Sequence, residues 1–465
     1  MGSRRIMSPL IEAVLAGLAV AIVLYSTSVS RHLLPGAFND DGVYLALGRA
    51  LSAGAGYRST YLVGAPLQVK YPPGLPALLA VLWEFAKSPG QVQSLATAIN
   101  IGACATAAGI LWWIGRVSLG IPAVLVAAFT ILPLMFDPAV QYFTLVLSEP
   151  LFLLATAGSL LLYDRVRRAV DPDAMKWPGA PLDYSVALGL VLAAAALIRT
   201  QGVVLMITLL LALALDLHFR RGLAIAAAAA VSPVAAWYLV AWARARHAML
   251  ASQASETGYL TFLLRGQPNV VMLREAHVIR DNLNDYASLL AGYLSGWRLA
   301  GVLACVVLSG LAVIGLALLR RRNRGLVFVL VGYVVVLLAW PVYQDRFLLP
   351  LLPLLGLASG YSLHVIAGRW VTFGGGRLRT VLMAGVAFGG VAVFARQQWI
   401  RSDAEVASRE HRQPAVYTPT FWLPGNAWCW RPARQSRFSI PSARWMCANR
   451  KASSFRSRPP PIAPA

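Results

Sequence analysis

Apolar runs of about twenty residues recur along this chain between residues 8 and 396, each ended by arginines or turn-forming residues. A helix of that length crosses the hydrocarbon core of a bilayer, and a chain that repeats the pattern has few other folds open to it. Charged residues make up 13% of the sequence, about half the share in a soluble domain. The pattern predicts an all-α, polytopic membrane protein with about eleven transmembrane helices. The expected spans are roughly 8–28, 92–114, 121–136, 147–163, 184–198, 202–218, 222–242, 297–319, 325–342, 347–367 and 380–396.

The formal net charge is +22, and its distribution speaks to topology. Short clusters fall between apolar runs: Arg4 and Arg5; Arg116; Arg165, Arg167, Arg168 and Lys176; Arg220 and Arg221; Arg320, Arg321, Arg322 and Arg324; Arg369, Arg377 and Arg379. No compact basic domain exists to hold a nucleic acid. The opposite short connections hold only Arg199 and Arg346. Positive charge collects on the cytoplasmic side, so the N-terminus is expected in the cytoplasm. An odd helix count then puts the C-terminus outside. The two long loops, 29–91 and 243–296, fall on the outer face of the cytoplasmic (inner) membrane. The first apolar run is too long for a signal-peptide core and lacks a clear cleavage site, so it reads as an uncleaved helix.

Residues 1–400 read as one membrane domain and 401–465 as a basic extracytoplasmic tail. From His411 onward there is no Asp or Glu, and no helical or strand period survives. The tail is therefore either disordered or an aberrant stretch foreign to the fold. Cys104 and Cys305 lie inside apolar runs, whereas Cys429 and Cys447 lie in the tail and are able to pair if it is extracytoplasmic.

In the first long loop, Val43, Leu47, Ala50 and Leu51 share a helical face, Asn39 or Asp40 can cap it, and Gly54 is a stop signal. A short interfacial helix is expected there. Pro72-Pro73-Gly74 breaks the chain, and the apolar stretch Leu75–Phe85, too short to span, is expected in the interface as well.

The same loop holds the residues best suited to chemistry. Asp40 and Asp41 are adjacent acids at a membrane boundary, able to act as a general base or to bind a divalent metal; a helix cap alone needs only one acid. Tyr44 follows one turn later on the same face. Lys70 is a cation suited to phosphate, with Arg58 as a weaker partner, although a lysine there also suits snorkelling to headgroups. Glu149 opens an apolar segment, where an ionisable residue is costly and points to function, or else complements the helix dipole. Arg199 and Arg346 run against the charge asymmetry; with Lys70 they suit a cationic rim for an anionic lipid headgroup. No phosphate-binding loop, dinucleotide fingerprint, His-Glu-x-x-His or Cys/His metal spacing occurs. An activated substrate would have to be membrane-borne.

Asp40-Asp41-Gly42-Val43-Tyr44, Gly54-Ala55-Gly56-Tyr57, Lys70-Tyr71-Pro72-Pro73-Gly74, Ser148-Glu149-Pro150 and Arg346-Phe347-Leu348-Leu349-Pro350 together resemble the bacterial membrane glycosyltransferases of the C superfamily. The nearest groups are those of the dolichyl-phosphate-mannose protein mannosyltransferases and the lipid A aminoarabinose transferase. The resemblance covers about residues 8–400. Asp40 matches the family's catalytic acid, and Asp41 replaces its usual glutamate.

The resemblance implies inverting transfer of a sugar from a polyprenyl-phosphate donor to a lipid, glycan or protein hydroxyl at the outer membrane face. Asp40 would accept the acceptor's proton. Lys70, with Arg58 or Arg346, would stabilise the leaving phosphate. Asp41 and Glu149 would orient the acceptor or hold a divalent metal, which stays open as a cofactor, and Tyr44, Tyr71 and Arg199 would support the site. Membrane lipids are the other expected partners. The rival readings are a lipid-linked-sugar flippase or secondary transporter, and a catalytically degenerate scaffold subunit.

Overall fold

The computed structural model describes residues 3–30, 40–62, 64–169, 181–216, 220–245, 268–294, 298–340 and 343–374, with single positions at 385, 389 and 392. The expected span 380–396, apart from those three positions, and the tail with Cys429 and Cys447 lie outside the described residues.

Helices make up the described fold, and no strand occurs among the described residues. In chain order, α1 is Ser3–Ser30, α2 Asp40–Ser52, α3 Gly74–Phe85 and α4 Pro89–Trp113, the last continued by a π-helical turn to Ser118. Then come α5 (Ala123–Val126), α6 (Asp137–Phe143), α7 (Glu149–Ala169), α8 (Pro181–Ile198), α9 (Gln201–Leu215) and α10 (Arg220–Ala245). The remaining helices are α11 (Pro268–Leu294), α12 (Arg298–Leu319), α13 (Arg324–Ala339) and α14 (Leu352–Gly374), with a 3-10 turn at Asp345–Leu348.

Among the described residues, four helical segments are long and apolar enough to cross a membrane: Ser8–Val29, Pro89–Ser118, Arg221–Ala241 and Gly301–Leu319. Five shorter apolar segments accompany them, including Leu182–Ile198, Gln201–Leu215 and Arg324–Ala339. Leu10, Val14, Leu18 and Ile22 on α1, and Val302, Val306 and Val313 on α12, are exposed to the surroundings. Such continuous apolar faces match a bilayer as solvent. Inside, α1 packs on α4, α8 on α7 and α10, α9 on α13, and α12 on α14. Alanines and glycines at these contacts let backbones approach closely, as packing between helices in lipid requires.

Several local expectations change. The span at 121–136 is not one helix: α5 passes into a π turn at Ala127–Ile131 and a 3-10 turn at Leu132–Met135, where Pro133 removes a backbone donor. Asp137-Pro138 opens α6, with the proline in its first turn. The second long loop carries the 27-residue helix α11. Its Arg274, Glu275, His277, Arg280, Asp281 and Asp285 hide it from hydropathy, yet Asn282 and Tyr286, one turn apart, are both buried.

The first outer loop folds into its own small core. Tyr44, Leu45 and Leu47 of α2, Leu75, Leu79 and Leu82 of α3, and Tyr57 and Tyr71 between them pack with Val92, Ala96 and Leu145–Leu147. The buried side of α2 differs from the expected one: Tyr44, Leu47 and Ala50 are covered, but Val43 and Leu51 only partly, because α2 packs on α3. Gly54 ends the helix with φ +72, a left-handed conformation that glycine adopts without steric cost. Tyr57 Oη donates to the carbonyls of Tyr71 (2.9 Å) and Pro72 (3.1 Å), which ties the two halves of the loop together.

Candidate active site

Five chain segments join in one network that begins at Asp40: the start of α2, the stretch before α3 with Tyr71, the start of α7 with Glu149, the α8–α9 turn with Arg199 and the 3-10 turn after α13 with Arg346. Asp40 is the first residue of α2, where a carboxylate complements the helix N-terminus. Its Oδ1 accepts a hydrogen bond from Tyr71 Oη at 2.7 Å, and its Oδ2 accepts one from Arg346 Nη2.

Arg346 is shared between two acids. Its Nε lies 3.3 Å from Glu149 Oε1 as well as facing Asp40 through Nη2. Gln344 Oε1 accepts from Arg346 Nε at 2.9 Å and from Nη2 at 2.8 Å, so the guanidinium is clamped by its own turn. Arg199 approaches the same Glu149 oxygen, Nη1 to Oε1 2.6 Å, and its Nε donates to Gln201 Oε1 at 2.9 Å. Both guanidiniums lie near the Phe347 ring, Arg199 at 4.8 Å and Arg346 at 5.7 Å from its centroid.

Glu149 has no solvent exposure. Its contacts to the arginines are ion pairs without hydrogen-bond alignment, and Oε2 has no hydrogen-bond partner among the described residues. A buried carboxylate of this kind is tolerated only beside compensating charge. Two acids and two arginines supply it: Asp40 and Glu149 balance Arg199 and Arg346. Burial pulls the Arg346 guanidinium down, but attraction to Glu149 and Asp40 outweighs it, so its pKa is raised and it stays charged. Arg199 behaves alike, with Glu149 overcoming the effect of burial.

Tyr44 extends the network. Its Oη is 3.4 Å from Ser148 Oγ, which also accepts from Arg199 Nη1 at 3.3 Å. Burial, then the charges of Asp40 and Glu149, raise the Tyr44 phenol, which keeps it protonated. Its ring meets Tyr71 edge-on at 5.3 Å.

Of the residues singled out from sequence, Asp40, Tyr44, Tyr71, Glu149, Arg199 and Arg346 converge. Asp41, beside Asp40, is buried at 1% exposure. Lys70 stands one step away, its Nζ 5.7 Å from the Tyr71 ring centre. Arg58 is placed elsewhere: it is exposed, bridges to Leu67 through its backbone, and donates from Nη1 to the Ala65 carbonyl. Among the described residues no three His, Cys, Asp or Glu side chains gather as a metal site. The cation between Asp40 and Glu149 is Arg346 itself, so these residues do not fit a divalent ion held by Asp40, Asp41 and Glu149.

Sequence reasoning missed the amides that set this geometry. Gln201 and Gln344 each sit two residues from the arginine they hold, a spacing visible in the sequence. Asn100 Nδ2, inside α4, donates to the carbonyls of Leu145 and Leu147 and so fixes the approach to Glu149. An amide in the middle of an apolar run was its signal. Asn282 of α11 likewise donates to the carbonyls of Leu338 and Trp340 at the end of α13.

No protein-family profile and no curated protein matches the chain. Solved structures do. The archaeal oligosaccharyltransferase AglB from Archaeoglobus fulgidus, in complex with an inhibitory peptide and a dolichol-phosphate, overlays 88% of this chain with a TM-score of 0.52 at 13% identity. The same organism's oligosaccharyltransferase tethered to an acceptor peptide overlays 85% with a TM-score of 0.53, also at 13% identity. The chain spans 58% and 55% of their respective lengths. ArnT from Cupriavidus metallidurans bound to undecaprenyl phosphate is similar more loosely, with a TM-score of 0.47 at 17% identity over 85% of this chain and 72% of its own. The chain thus shares a helical fold with these archaeal oligosaccharyltransferases over most of its length.

Proposed function

We propose that the chain transfers a sugar from a polyprenyl-phosphate carrier to a hydroxyl acceptor at the outer face of the cytoplasmic membrane, with inversion at the anomeric carbon. The observation that carries this reading is the Asp40–Arg346–Glu149–Arg199 chain of charges, reached by the same loop that presents Lys70. In this scheme the acceptor oxygen bonds to the anomeric carbon as the carbon–oxygen bond to the phosphate breaks. Asp40 takes the acceptor's proton, and the electron pair leaves with the lipid phosphate. An arriving phosphate competes with Asp40 for the Arg346 guanidinium, while Glu149 and Gln344 keep that guanidinium anchored. Lys70 adds a second cation for the growing phosphate charge. Asp41 supports the position of Asp40, and Tyr44, Tyr71 and Arg199 hold its surroundings.

The archaeal oligosaccharyltransferase of similar fold was solved in complex with a dolichol-phosphate, which agrees with a membrane-borne donor. The arginine asymmetry supports an outward-facing site with the N-terminus in the cytoplasm. The test is direct. Membranes containing the chain are incubated with labelled polyprenyl-phosphate sugars and hydroxyl acceptors. Label should move to an acceptor from a lipid-linked donor and not from a nucleotide sugar. Transfer by the purified protein from a nucleotide sugar, with no lipid carrier present, would overturn the reading.

A further inference from the structure

A second cationic site lies at the opposite end of α13. A cavity of about 250 Å³ is lined by Arg320, Arg321 and Arg324 together with Val327 and Phe328. Helix α13 has 16 residues, so about 24 Å of helix separates this cavity from the turn that carries Arg346. It therefore shares nothing with the candidate active site and does not rest on the transferase reading.

Three observations define what the cavity suits. The first is unbalanced charge. Arg324 Nη1 donates to Asp216 Oδ1 and to the Leu215 carbonyl, each at 2.9 Å, so that charge is met. Arg320 and Arg321 are exposed and have no acidic partner among the described residues. The second is placement. The apolar span of α12 runs from Gly301 to Leu319 and stops immediately before Arg320, which puts the cavity at the level where hydrocarbon gives way to headgroups. The third is a mixed lining on an ordered turn. Val327 and Phe328 are half-buried on the first turns of α13, and Asn323 caps that helix by accepting from the Leu326 N–H at 3.0 Å. The Arg322 and Asn323 N–H groups both donate to the Leu319 carbonyl, at 2.9 and 2.8 Å.

Positive charge alone at such a turn serves to orient helices in the membrane. Orientation requires no cavity and no apolar wall. The volume is below that of a pocket for a whole drug-sized ligand and suits a headgroup whose tails stay in the bilayer. We propose that this cavity binds the phosphodiester headgroup of an anionic phospholipid, with Arg320 and Arg321 on the phosphate oxygens and Val327 and Phe328 against the glycerol and upper acyl carbons.

The test uses the purified full-length chain in detergent, titrated separately with phosphatidylglycerol, phosphatidylcholine, glycerol phosphate and inorganic phosphate. Bound lipid is counted by native mass spectrometry and thermal stability is followed in parallel. Phosphatidylglycerol should bind and raise the melting temperature, and phosphatidylcholine should not. Arg320→Gln/Arg321→Gln should weaken the phosphatidylglycerol by about thirty-fold. Arg220→Gln/Arg221→Gln, which removes two arginines from another cluster, should leave it unchanged. Val327→Trp keeps every charge and fills the cavity, so it should abolish the tight lipid even if the glutamine pair fails to accumulate in membranes. Equal binding by Val327→Trp and the parent, or equal binding of phosphatidylcholine, would overturn the proposal. So would inorganic phosphate or glycerol phosphate matching the lipid in affinity, since the ligand would then be a free phosphate.

Discussion

Arg346 hydrogen-bonds Asp40 across 306 positions of sequence, joining the turn after α13 to the first residue of α2. That bond makes one guanidinium the common partner of Asp40 and the fully buried Glu149. Both the chemistry and the stability of the site are expected to pass through it.

Asp40→Asn keeps side-chain volume and removes the base. Transfer from a labelled polyprenyl-phosphate sugar should fall by about two to four orders of magnitude, with the protein's level in membranes unchanged. Asp41→Asn should cost less, since Asp41 is buried at 1% exposure and supports its neighbour. A dead Asp41→Asn beside a nearly normal Asp40→Asn would reverse the assignment within the pair.

Arg346→Gln leaves Asp40 and Glu149 with one cation between them. Removing one partner of a buried pair costs about 3–5 kcal/mol, so the melting temperature should drop clearly. Adding Asp40→Asn should restore part of it, because the Glu149–Arg199 pair at 2.6 Å then stands balanced by itself. The double variant should remain inactive. Additive stability losses would show that the two residues do not interact.

Lys70 and Arg58 lie in one loop but should behave differently. Lys70→Ala is expected to lower kcat/KM for the lipid-linked donor by about ten- to a hundred-fold, the worth of one charge-assisted bond. Lys70→Arg should restore part of it, since the charge is kept and the geometry changes. Arg58→Ala should stay within about two-fold of the parent, because its guanidinium is exposed and bonded to the Ala65 carbonyl. Kinetics at varied donor concentration separate the three.

Gly202 follows the Arg199 turn, and a Cβ there would fall 2.2 Å from the Ala195 carbonyl oxygen. Backbone has to move to admit it, so Gly202→Ala should destabilise by about 1–3 kcal/mol or more and shift Arg199 from Glu149. Gly90, in the first turn of α4, has nothing within 4 Å of an added Cβ. Gly90→Ala is expected to be neutral or stabilising by up to about 1 kcal/mol. Thermal unfolding of the two variants side by side checks the contrast.

The helical fold was legible in the sequence wherever the signal is local. The spacing of apolar runs marked α1, α4, α10 and α12 because each is long enough to meet the bilayer requirement by itself. Asp40, Gly54 and the Pro72-Pro73-Gly74 break marked the elements of the first outer loop through caps, left-handed turns and missing donors, all properties of neighbouring residues. Helix α11 escaped because its charges break the hydropathy run while its buried residues depend on what packs against it.

The residue types of the site were equally visible, since an acid or arginine at an apolar boundary is costly and stands out. Their pairing was not. Charge alone allows Arg346 to serve its neighbour Asp345, a lipid headgroup or a distant acid, and allows Arg58 to join Lys70. Only the packing of α7, α9 and α13, with Asn100, Gln201 and Gln344 fixing backbone and guanidinium, brings Glu149, Arg199, Arg346 and Asp40 within a few ångströms. Electrostatic partnership falls steeply with distance and burial. Distances between residues hundreds of positions apart are decided by the tertiary fold.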